Sequence, residues 1–72
     1  MTYSEARATL RKLNDEIHAL NMKAPRFDAP VEMIEAHRGH LRTLNELGKG
    51  LGFIRIFDGS FKLDLKKFEG QF

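Results

Sequence analysis

Tyr3, Ala6, Leu10, Leu13, Ile17 and Leu20 recur at alternating spacings of three and four residues. On a 3.6-residue helix they fall on one stripe, while Glu5, Arg7, Arg11, Lys12, Asp15 and Glu16 fall outside it. The pattern predicts an amphipathic helix over about 3–22 and reads as the a/d seam of a coiled coil. Thr2-Tyr3-Ser4-Glu5 fits a capping box at its start. Pro25 and Pro30 then bracket a loop over 23–29, because the residue before a proline is pushed away from helical conformation. Phe27 in that loop is expected to fold back over the hairpin end as a staple residue does. A second amphipathic segment runs from about 30 to 47, with Pro30 in its first turn. Ile34, His37, Leu41 and Leu44 form its seam, and Val31, Met33 and Leu47 flank them. Gly48 is expected as the left-handed residue that stops this helix. Gly39 reads either as a close helix approach or as a weak point costing about 1 kcal/mol relative to alanine. Two such helices joined by a short loop form an antiparallel hairpin.

The last third changes period. Gly52-Phe53-Ile54-Arg55-Ile56-Phe57 and Phe61-Lys62-Leu63-Asp64-Leu65 flank Asp58-Gly59-Ser60, and Asp-Gly between β-formers is a strong hairpin signal. A β-hairpin is therefore expected over about 52–66. A two-residue turn would pair Ile56 with Phe61 and Ile54 with Leu63, giving a clean apolar face. A three-residue turn pairing Ile56 with Lys62 and Ile54 with Asp64 mixes the two faces. The first register is preferred, since a slip of one residue exchanges core and solvent sides. It turns Phe53, Arg55, Phe57 and Lys62 outward, as a basic-aromatic face for a partner. Because a two-stranded hairpin is marginal alone, that face would be covered by a second chain, by a foreign partner, or by Phe68 and Phe72 of the tail. The fold class is α+β: an antiparallel helical hairpin followed by a two-stranded β-hairpin, completed by dimerisation. The seam residues Tyr3, Leu10, Leu13, Ile17 and Leu20 are the candidates for self-association.

Lys49-Gly50-Leu51-Gly52-Phe53-Ile54-Arg55-Ile56 resembles the ribonucleoprotein octapeptide of cold-shock domains and, less closely, the first motif of RNA-recognition domains. The resemblance covers eight residues. It implies base stacking by an outward Phe53 on a flat, glycine-flanked strand. Leu51 and Ile56 stand where that motif has its two other aromatics. The helices that precede the segment also differ from the all-β barrel of cold-shock domains.

Composition narrows the rest. A chain of 72 residues is one domain, 1–72, of a size whose core needs help. With no cysteine, disulfides are excluded and a reducing compartment fits. The first residues lack the apolar core of a signal peptide, and no run is long enough to span a bilayer, so the expected location is cytoplasmic, with no membrane partner. The net charge of +2 is mild, and its excess lies in residues 49–72, where Lys49, Arg55, Lys62, Lys66 and Lys67 outnumber three acids. His37 and His40 lie one turn apart and His18 on the other helix, short of the three or four converging ligands a metal wants. His37 in the seam is expected as a satisfied core or edge imidazole. No phosphate loop or serine elbow is present, so neither catalysis nor a cofactor is expected. The expected function is protein–protein interaction by a homodimeric regulator, inhibitor or adaptor, in the size class of phage and mobile-element accessory proteins. The alternative is binding of single-stranded nucleic acid or RNA through the outer face of the β-hairpin.

Overall fold

In the computed structural model, which describes residues 1–70, α1 spans Tyr3–Met22 and α2 spans Val31–Gly50. The strands β1, Ile54–Arg55, and β2, Phe61–Lys62, form an antiparallel pair. A 3₁₀ turn at Leu65–Phe68 follows. The order is thus two helices and then a β-hairpin, the expected α+β arrangement. The body is long and narrow, 50 × 19 × 18 Å. Among the described residues no helix is long and apolar enough to cross a membrane.

The start of α1 is built as its sequence indicates. Glu5 N donates to Thr2 Oγ1 at 3.2 Å, and Thr2 N donates back to Glu5 Oε1 at 3.3 Å. The two bonds satisfy donors that a helix start otherwise leaves open. The Glu5 carboxyl is held below its ordinary value, first by hydrogen bonding with the Thr2 side chain and then by the Thr2 backbone N–H.

The end of α2 differs from expectation. Gly48 does not stop the helix, which continues to Gly50 with Leu51 as its cap residue. Gly52, at φ +82°, takes the left-handed position. Gly52 N donates to Lys49 O and Phe53 N to Gly48 O, each at 3.0 Å, which is the bonding pattern of a Schellman motif. Gly48 has another task. It is buried, and a Cβ there would lie 2.6 Å from Phe61 Cζ. The missing side chain is the notch into which Phe61 fits. Gly39 is unlike it: its Cβ would meet nothing within 4 Å, so it is an open weak point in the helix and no close approach.

The hairpin register also departs from expectation. Ile54 pairs with Lys62 and Arg55 with Phe61, matching neither the two-residue nor the three-residue alternative. Gly59 N donates to Ile56 O at 3.0 Å, Ile56 N to Ser60 O at 2.8 Å, and Gly59 adopts φ +92°. This is a three-residue loop, Phe57-Asp58-Gly59, with glycine in the left-handed third place. Asp58 Oδ1 fixes it by accepting from Ser60 Oγ at 2.6 Å and Ser60 N at 3.0 Å. Those bonds, the hydroxyl one foremost, hold the Asp58 carboxyl below its ordinary value. The ladder is only two residues long on each side, shorter than the expected span.

Tertiary contacts explain this register. Phe61 is 2% exposed, and the side chain of Asn14 on α1 grips its backbone. Phe61 N donates to Asn14 Oδ1 at 2.9 Å, and Asn14 Nδ2 donates to Phe61 O at 3.0 Å. With the next bonded pair at Ile56 and Ser60, the Arg55–Phe61 pair is the one whose backbone groups point away from each other. Asn14 meets those of Phe61 as a neighbouring strand would. The core is a single cluster of Ala6, Leu13, Ile17, Leu44, Phe53, Phe61 and Phe68, with Tyr3, Leu10, Leu20, Leu51 and Leu63 packed against it. The tail closes one end: Phe68 meets Tyr3 edge-on, with ring centroids 5.8 Å apart.

Candidate interaction surfaces

The four side chains expected on one outer face are not brought together. Phe53 is 7% exposed and belongs to the core. Directly opposed residues share a side of a sheet and successive ones alternate. Arg55 therefore lies on the side of Phe61, toward the helices, and Lys62 lies with Ile54 on the other. Arg55 and Lys62 are exposed but on opposite sides of the hairpin, and of the two phenylalanines Phe57 alone keeps the expected exposure, at 101%. The observed loop shifts the pairing and sends Phe53 inward, so Phe53 is not available to stack on a base. Cover by Phe72 falls outside the described residues.

The helical seam is covered from within the chain. Leu13 and Ile17 are buried, and Tyr3, Leu10 and Leu20 are half-buried against the same cluster. Phe53, Phe61 and Leu63 of the β-hairpin region and Phe68 of the 3₁₀ turn pack into the same cluster as these seam residues. His37 is half-buried, and its Nε2 donates to the carbonyl of Leu20 at 2.9 Å. It is a satisfied imidazole bridging the two helices near the end of α1. No group of three or more His, Cys, Asp or Glu able to hold a metal occurs among the described residues.

The surface that sequence reasoning missed is the connection between the helices. The hairpin loop reaches the level of Ile17, Asn21 and Leu41. Past this level lie the end of α1, the connection and the first turns of α2, which together form a tip where several apolar side chains are bare. Met22 is 75% exposed, Val31 64% and Met33 56%. Phe27 does not fold back as a staple: it is 97% exposed. Pro25 on one side and the Arg26–Ala29 turn on the other, closed by Ala29 N to Arg26 O at 3.0 Å, carry its ring away from both helices. The two prolines bracketing an aromatic were the available signal. Lys23, Arg26, Asp28 and Glu32 are exposed around these apolar groups, a rim of mixed sign.

Compared with protein-family profiles, curated proteins and solved structures, the chain matches none of them.

Proposed function

We propose that this chain is a non-enzymatic protein-interaction module, working in the cytoplasm as a regulator, inhibitor or adaptor, and that its docking element is the tip of the helical hairpin. The observation that carries the reading is the joint exposure of Met22, Phe27, Val31 and Met33 beyond the part of the helices covered by the β-hairpin. Exposed apolar side chains gathered at one end of a chain among charged neighbours are the kind of feature that marks a protein interface. A bare phenylalanine is a ready anchor for a partner's pocket, and flexible methionines adapt to its shape. A second copy of the chain is the first partner to test, since one tip can bury its apolar groups against another.

A photo-crosslinking residue placed at Phe27 tests the reading, with a matched one at exposed Glu46 as control. A product of doubled mass from position 27 in purified protein supports a homodimer. A tip-specific product with another protein in cells supports a foreign partner. Equal yields from the two positions under both conditions would refute the tip as the docking element.

A further inference from the structure

A second surface has a different character. Arg38, Arg42 and Lys49 on α2 and Arg55 on β1 line one open groove, with Leu41 and Asn45 in its floor and Glu46 at its edge. The groove continues past Leu41, Asn45 and Arg55 to Phe57 and Asp58. Arg38, Arg42 and Lys49 recur at steps of four and seven along one side of α2, and all four cations are exposed. Among the described residues the side chain of none of them takes part in an ion pair or hydrogen bond. Set against Glu46 and Asp58, these cations account for the chain's whole net charge of +2. At about 1.5 Å per residue the helical part of the strip is roughly 16 Å long.

We propose that this groove binds single-stranded nucleic acid, the cations following its phosphates and Phe57 stacking on a base. The cores of protein interfaces are depleted of charged residues, whereas nucleic-acid interfaces are polar and strongly positive. Guanidinium groups suit phosphate oxygens, which they can meet with paired donors. A cationic groove ending in a free aromatic ring is the arrangement by which single strands are held without base-specific bonds. Phe57 is that ring, fully exposed beside Arg55. The octapeptide Lys49–Ile56 does not supply it, because its Phe53 is buried. The groove and the apolar tip are separate surfaces, so either can fail without the other.

The test is fluorescence anisotropy with a labelled mixed-sequence oligodeoxynucleotide of about 12 residues, within the range such sites cover. If three to four phosphates are neutralised, affinity should fall about 20- to 50-fold between roughly 50 and 200 mM salt. Arg38→Ala with Arg42→Ala should weaken binding and flatten that slope. Phe57→Ala should weaken it about tenfold with the slope unchanged. Lys23→Ala, at the tip, should leave it unaltered. Helix content by circular dichroism checks that each variant is folded, as exposed positions away from the core predict. Absence of binding at low salt overturns the proposal, as does binding indifferent to the double arginine variant. Competition by poly-glutamate of equal charge as effective as by unlabelled oligonucleotide also overturns it, assigning the groove to an acidic protein segment.

Discussion

Gly48→Ala is the sharpest probe of how the two halves of the chain lock. The new methyl group would lie 2.6, 2.7 and 2.9 Å from three atoms of the Phe61 ring. Carbon atoms in contact prefer about 3.5–4.0 Å, so the ring would have to retreat by roughly 1 Å. It has little room. Phe61 is 2% exposed, and its backbone is held at both N and O by Asn14. Overpacking of this kind costs about 1–3 kcal/mol. Alanine in place of glycine inside a helix returns about 1 kcal/mol, leaving a net loss of up to about 2 kcal/mol. Gly39→Ala is the matched control on the same helix. With open space at its Cβ, it should stabilise by about 0.5–1 kcal/mol. Urea denaturation followed by circular dichroism reads both, as opposite shifts in midpoint at constant slope. In thermal melts of a chain this size each kcal/mol corresponds to about 4–8 °C. Phe61→Leu in the Gly48→Ala background should cost less than the two single changes added together, since the pair shares one contact. A Gly48→Ala protein as stable as Gly39→Ala would refute the notch.

Three further outcomes follow from the same contacts. Asn14→Ala strips both partners from a part-buried peptide and should cost about 2–3 kcal/mol, with faster hydrogen exchange at the Phe61 amide read by NMR. Phe53→Ala should cost about 3–5 kcal/mol as a core truncation, whereas Phe57→Ala and Phe27→Ala should each stay within about 0.5 kcal/mol; equal costs in denaturant titrations would contradict the placement of Phe53 inside and Phe57 outside. Glu5 is more acidic in the folded chain than unfolded, through its bonds to Thr2. Its stabilising effect is therefore complete above the ordinary glutamate value, about 4.3, and is lost as pH falls through its folded value. Glu5→Gln should flatten the stability-against-pH curve on this acid side, and an unchanged curve would remove Glu5 from the capping argument.

Local signals were legible in the sequence, and long-range ones were not. The capping box at Thr2 and Glu5 and the a/d stripe of α1 are written in neighbouring residues, and both elements form as their patterns imply. The end of α2 was misread because Gly48 satisfies a local rule for helix stops. Its true role depends on Phe61, thirteen positions away in sequence and touching only in three dimensions. The register was misread for a related reason. Alternation along Ile54 and Ile56 favoured an apolar inner face, but the notch at Gly48 and the clamp at Asn14 place Phe61 first, and the loop conforms with glycine third. Asn14 sits beside the seam residue Leu13 and gave no sign of its partner. The candidate surfaces were the least visible, because exposure of Phe27 and burial of Phe53 are decided by packing. The cationic strip could have been found from Arg38, Arg42 and Lys49 on one helical side, but the place of Arg55 within it required the fold.

The Asn14 side chain also limits how copies of this chain can join. It occupies the rim of β2 as an added strand would, so a foreign strand finds no free main-chain groups at Phe61. Continuous sheets built across that rim are thereby closed off, and association there is left to side-chain surfaces. A single amide thus closes this stretch of β2 to open-ended fibre growth.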